Sequence, residues 1–90
     1  MTNLQILADA NIPHVKDAFG QFGPVRRVHG REMKTSDVAA ADVLLVRSVT
    51  PVGPALLDGT DLVFVGSATI GTDHVDRAYL RAQGIPFAHA

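Results

Sequence analysis

The sequence predicts an α/β protein of the flavodoxin-like kind, a doubly wound parallel sheet of about five strands in the order 2-1-3-4-5. Three observations predict it. Apolar runs recur about every twenty residues, at 4–8, 25–28, 43–46, 62–65 and 85–87. Three of these are rich in valine, leucine or isoleucine with almost no polar interruption, as suits strands buried on both faces. The segments between them carry helical spacing, and strand alternating with helix is the doubly wound pattern. Crossovers should be right-handed, and the strand order is the common one for five such strands.

Each element has its own justification. The first run, 4–8, is followed by a predicted helix over 11–22. Val15, Ala18, Phe19 and Phe22 fall at i, i+3, i+4 and i+7, one face of a helix. Asn11 is the expected N-cap, Pro13 suits a first turn, and Gly23-Pro24 stops it. The second run, 25–28, contains Arg26-Arg27, the only adjacent basic pair in the chain. Its bland reading is a solvated strand edge. A weak helical turn is expected at 36–41, before the third run, and another at 54–57, before the fourth. The second strong helix is expected over 73–83, where Val75, Ala78, Tyr79 and Ala82 repeat the spacing. Thr72 or Asp73 would cap it and Gly84 would end it.

Composition narrows the function. Ninety residues are one domain's worth of chain, and such a domain buries only roughly 60–65% of its unfolded surface. Apolar residues make up 47%, charged ones 19%, and the net charge is −1. This is a globular composition with no basic face for nucleic acid or an anionic membrane. Without cysteine, disulfides, thiolate catalysis and cysteine-based metal sites are out. No stretch approaches the ~18 apolar residues of a membrane helix, and the N-terminal apolar run is too short for a secretory signal. A cytoplasmic location is the expectation. His14, His29, His74 and His89 form no ligand pair at helical spacing, so no metal site is expected.

In an open parallel sheet, ligands bind beyond the C-terminal ends of the strands. The informative residues therefore follow the strands: 8–11, 47–50 and 66–73. The last two loops should face each other. Arg47 offers a forked cationic donor if it points inward. Ser48, Thr50 and Thr69 offer hydroxyls, and Gly66 and Gly71 would let backbone approach a ligand. The second loop then feeds a helix N-terminus, which favours an anion. The same residues also serve as plain turn and cap chemistry, so spacing alone leaves both readings open.

Several familiar motifs fail. Gly66 and Gly71 have P-loop spacing, but Thr72 and Asp73 stand where lysine and a hydroxyl residue belong. A dinucleotide fingerprint would need glycine at Ala68, and no G-x-G-x-x-G occurs elsewhere. No nicotinamide-cofactor site is expected in these residues. Asp9 suggests a receiver domain, but the required aspartate and lysine are replaced by Arg47-Ser48 and the stretch 88–90.

Val46-Arg47-Ser48-Val49-Thr50, Phe64-Val65-Gly66-Ser67-Ala68-Thr69-Ile70-Gly71-Thr72-Asp73-His74-Val75-Asp76 and the opening Ile6-Leu7-Ala8-Asp9-Ala10-Asn11-Ile12-Pro13 are more specific. With them the chain resembles the D-2-hydroxyacid dehydrogenases, and among these the 4-phosphoerythronate branch, over nearly its whole length. The resemblance implies oxidation of the 2-hydroxyl of 4-phospho-D-erythronate to a 2-oxo acid, on the pyridoxal phosphate (vitamin B6) route. It implies NAD as cofactor and a homodimeric parent enzyme. It implies substrate binding by Ser48 and Thr69, with backbone N–H groups around Ile70 and Gly71 assisting. It places the catalytic arginine, glutamate and histidine, and the cofactor-binding glycine loop, outside these residues. Residues 1–90 are thus expected to be the N-terminal substrate-binding part, without the nucleotide domain, and inactive alone. Two alternatives stand beside this one: a free-standing, non-catalytic ligand-binding or regulatory module, and a D-2-hydroxyacid dehydrogenase of different substrate preference.

Overall fold

The structure, a computed structural model, describes residues 4–89; Ala90, within the stretch 88–90 weighed above, lies outside them. Strands β1 (Ile6–Asp9), β2 (Val25–Val28), β3 (Val43–Val46), β4 (Phe64–Ser67) and β5 (Phe87–His89) form one sheet in the order β2-β1-β3-β4-β5, every pairing parallel. The expected architecture and strand order are therefore present. Every residue of β1 and β3 is buried, as their unbroken apolar runs require, whereas edge strand β2 is only half-buried.

Side chains alternate across the sheet. Leu7, Leu44, Val46 and Val65 face one side, where they pack with Val38 of α2 (Thr35–Ala39), Leu56 and Leu57 of α3 (Pro54–Leu57) and Leu80 of α4 (Arg77–Ala82). Ile6, Ala8, Val43 and Leu45 face the other, against Val15 and Phe19 of α1 (Val15–Phe19). Arg26 sits on the solvated edge as expected, and its guanidinium donates to Asp37 at 2.9 Å. An exposed pair of this kind is worth at most about 1 kcal/mol.

Both strong helices are shorter than their periodicity suggests. α1 begins at Val15 and passes into a 3-10 turn, Gly20–Phe22. Asn11 is not its cap: its N–H donates to Asp9 Oδ1 at 2.8 Å, which starts a turn, and His14 sits in the left-handed region at φ +59°. α4 begins at Arg77 and is capped by Asp76, whose Oδ1 accepts from Tyr79 N–H at 2.9 Å, not by Thr72 or Asp73. The local cap signal at 72–73 loses because Val75 is held by strand-like pairing with Val52, which keeps this stretch extended. The strand boundaries shift by at most two residues, towards the C-terminal end, at β1, β4 and β5. Thus Gly66 lies inside β4, and a Cβ there would stand 3.0 Å from Leu45 Cδ2.

Candidate functional site

The loops after β3 and β4 are joined to each other. β3 and β4 run in register from Val43↔Phe64 to Val46↔Ser67, and Ala68 N–H extends the ladder to Val46 C=O at 2.9 Å. Further out, Val52 N–H donates to His74 C=O at 2.7 Å, and Asp76 N–H donates to Val52 C=O at 2.8 Å. Residues 47–51 and 68–74 thus rise from one edge of the sheet and are closed by a second short pairing. This is the edge at which open α/β sheets bind ligands. The fold brings Ser48 and Thr69 to it on these two loops. Ser48 is exposed on the turn whose Thr50 N–H closes onto Arg47 C=O at 3.2 Å.

Thr69 is part of a hydroxyl–imidazole cluster. Ser67 Oγ, at the buried end of β4, lies 3.0 Å from Thr69 Oγ1 and 3.0 Å from His74 Nε2. Thr69 N–H also points at Ser67 Oγ, at 3.4 Å, and Thr69 Oγ1 is 3.4 Å from Gly71 C=O. Burial holds the His74 imidazole below its ordinary pKa, against the opposing pull of the Asp73 carboxylate. His74 is therefore no first-turn helix residue but part of the loop's hydrogen-bonding. No spacing rule in the sequence flags this contact, because it forms only when the loop turns back on itself.

A second polar cluster joins the loops after β1, β2 and β3. Asp9 is fully buried; its Oδ1 accepts from Asn11 N–H and lies 3.9 Å from Arg47 Nη1. Its Oδ2 accepts no hydrogen bond from a described residue. Thr50, also buried, donates from Oγ1 to Gly30 C=O at 3.0 Å. Gly30 closes the cluster because nothing larger fits: a Cβ would collide with Asp9 Oδ2 and stand 2.7 Å from Thr50 Oγ1. Arg47 does point inward, but towards Asp9. Thr50 is a structural hydroxyl, not a ligand group.

Two hollows open at this edge. One, of about 220 Å³, is apolar, between Phe19, Leu45 and Phe64, with Ser67 in its lining. The other, of about 390 Å³, lies over the Asp9 cluster between Asn11, His29, Arg31, Glu32 and Arg47. The first is lined by apolar side chains apart from Ser67 and His89; the second is lined mostly by polar and charged ones. Two expectations for the 66–73 loop fail. Gly66 is a packing glycine within β4, not a point of ligand approach. The loop does not feed a helix N-terminus directly, since residues 74–76 intervene before a short α4. Among the described residues, no three histidine or carboxylate side chains converge on a point that could hold a metal ion. No described helix is long and apolar enough to cross a membrane.

A five-stranded parallel sheet with its polar loops gathered at the C-terminal edge defines the class, and the comparisons give the family. The chain belongs to the D-isomer specific 2-hydroxyacid dehydrogenases, whose catalytic-domain profile matches residues 5–90. Over 90 residues it is 89% identical to the erythronate-4-phosphate dehydrogenase of Salinibacter ruber, covering 100% of this chain and 23% of that protein. Over 88 residues it is 57% identical to the enzyme of the same name from Shewanella sediminis, covering 97% of this chain and 23% of that protein. The chain therefore spans less than a quarter of the length of either relative. A solved structure from Polaromonas sp. JS6 66, assigned as an NAD-binding D-isomer specific 2-hydroxyacid dehydrogenase, superposes with a TM-score of 0.71 at 19% identity. The match covers 96% of this chain and 30% of that one, and at this identity it speaks for the fold.

Proposed function

We propose that this chain is the substrate-binding part of an NAD-dependent dehydrogenase that oxidises the 2-hydroxyl of 4-phospho-D-erythronate to the 2-oxo acid, in the cytoplasmic synthesis of pyridoxal phosphate. The observation that carries the reading is the closed pair of loops after β3 and β4, with Ser48 and Thr69 on one edge of the sheet. The names of the relatives supply the substrate class. Ser48, exposed, and Thr69, half-buried, hold and orient the hydroxy acid by hydrogen bonds, with backbone N–H groups near Ile70 and Gly71 as further donors. The contribution of these residues to rate is orientation of the reacting carbon.

The residues present do not fit a dinucleotide. β1 itself ends on the buried Asp9 carboxylate, which would repel a pyrophosphate at the turn that follows. Gly66, inside β4, cannot form a phosphate-cradling turn. We assign NAD, the acid–base groups and the contacts of a homodimer to the remainder of a polypeptide of the relatives' length.

The test is NADH formation by the full-length protein supplied with 4-phospho-D-erythronate, D-glycerate and D-lactate in turn. Turnover of the phosphorylated acid in preference to the other two is the expected result. Ser48→Ala and Thr69→Ala should each lower kcat/KM about 10- to 100-fold, the loss of one hydrogen bond to a charged group. Preference for D-glycerate would overturn the substrate assignment. Turnover by residues 1–90 alone would overturn the division of labour.

A further inference from the structure

Thr69 works with two partners. Ser67 Oγ stands between Thr69 Oγ1 and His74 Nε2, 3.0 Å from each. Two hydroxyl oxygens this close need a hydrogen between them, or their lone pairs oppose each other. Ser67 carries one hydroxyl hydrogen and can give it to one neighbour only. When Nε2 is bare, Ser67 donates to the ring, Thr69 donates to Ser67, and Thr69 presents only lone pairs to the crevice. When Nε2 carries hydrogen, the ring donates to Ser67 and Ser67 donates to Thr69. The hydrogen of Thr69 is then released, with only the distant Gly71 C=O, at 3.4 Å, competing for it. An ionised carboxylate or phosphate oxygen accepts and cannot donate, so only the second arrangement serves it. The neutral imidazole can hold its hydrogen on either nitrogen, and its burial favours that neutral form.

We propose that Ser67 and His74 are positioning residues that set the hydrogen-bond sense of Thr69, and that an anionic ligand oxygen selects the form with hydrogen on His74 Nε2. This rests on the reading of Thr69 as a substrate-binding group. Ser48, exposed on the facing loop, takes no part in the relay.

The experiment is 15N NMR of the His74 ring in the full-length protein, before and during titration with 4-phospho-D-erythronate. The ring nitrogen shifts report which nitrogen bears hydrogen. In the ligand-free protein, Thr69→Val should move the Nε2 signal although it touches the ring only through Ser67. Ligand should then drive the wild-type ring towards the Nε2–H form. Ser67→Ala should abolish that response, because it cuts the only link between Thr69 and the ring. Ser67→Thr, which keeps the hydroxyl, should restore it. An Nε2 signal indifferent to Thr69→Val, or a ligand-driven shift of the ring that survives Ser67→Ala, would overturn the relay. If 4-phospho-D-erythronate fails to bind the wild type, the proposed substrate is wrong. The ligand-free comparison of Thr69→Val with wild type still decides the relay.

Discussion

Two polar clusters share one edge of the sheet, and they differ in what water can reach. The Asp9 cluster is sealed at its base, beneath the hollow that Arg47 lines: Asp9 and Thr50 are 0% and 2% exposed, and Gly30 is pressed against both. The Ser67 cluster is graded: Ser67 is buried, Thr69 and His74 are half-buried, and Ile70 beside them is 80% exposed. In the sealed cluster the Thr50 hydroxyl is returned to the fold at Gly30 C=O, while Asp9 Oδ2 stays without a donor from a described residue. A graded one has groups left over for a ligand. Hydroxyl chemistry alone does not separate them, as Thr50 and Thr69 follow neighbouring strands and look alike in the sequence.

The sharpest way to break this contrast is Gly30→Ala. Overpacking a sealed site should cost about 1–3 kcal/mol, read as a lower denaturant midpoint with unchanged slope. An unchanged midpoint would mean that the loops at Asp9 are free to part. Next comes Thr50→Val, nearly the same shape without the donor, which leaves Gly30 C=O only the longer bond from Met33 N–H, at 3.4 Å. It should cost about 1–2 kcal/mol. Thr69→Val should instead cost less stability than Thr50→Val, because buried Ser67 Oγ keeps His74 Nε2 as a partner, while lowering ligand affinity. If Thr69→Val proved as destabilising as Thr50→Val, the two clusters would not be distinct in kind.

The smallest effect is a pH dependence. His74 has a folded-state pKa below its ordinary 6.5, so the unfolded chain binds the proton more readily. Stability should therefore be unaffected by His74 above pH 6.5. It should decline as pH falls from 6.5 to the lowered folded-state pKa, and level off below that. His74→Asn should remove this component, measured as a flatter difference in unfolding midpoint between pH 7.5 and 5.5.

Continuous apolar runs separated by helical spacing can pack in few ways. The five-stranded parallel sheet, its order 2-1-3-4-5 and the ligand-bearing edge were therefore legible in the residues themselves, as was the wording at 46–50 and 64–76 that marks the family. Position after β3 and β4 made Ser48, Thr50 and Thr69 candidates alike; only the family resemblance singled out Ser48 and Thr69. What depended on distant neighbours was not legible. The late start of α4 follows from the pairing of Val52 with Val75 across loops more than twenty residues apart in sequence. The inward turn of Arg47 follows from an aspartate thirty-eight residues earlier, at Asp9. The service of Ser67 and His74 to Thr69 follows from a loop folding back on itself. Periodicity reports which side of an element is buried, because burial is a property of one helix or strand at a time. Which polar group meets which is decided only when separate loops are brought together, and there the tertiary structure alone distinguished the buried Thr50 hydroxyl, bound to Gly30 C=O, from the half-buried Thr69 hydroxyl beside Ser67.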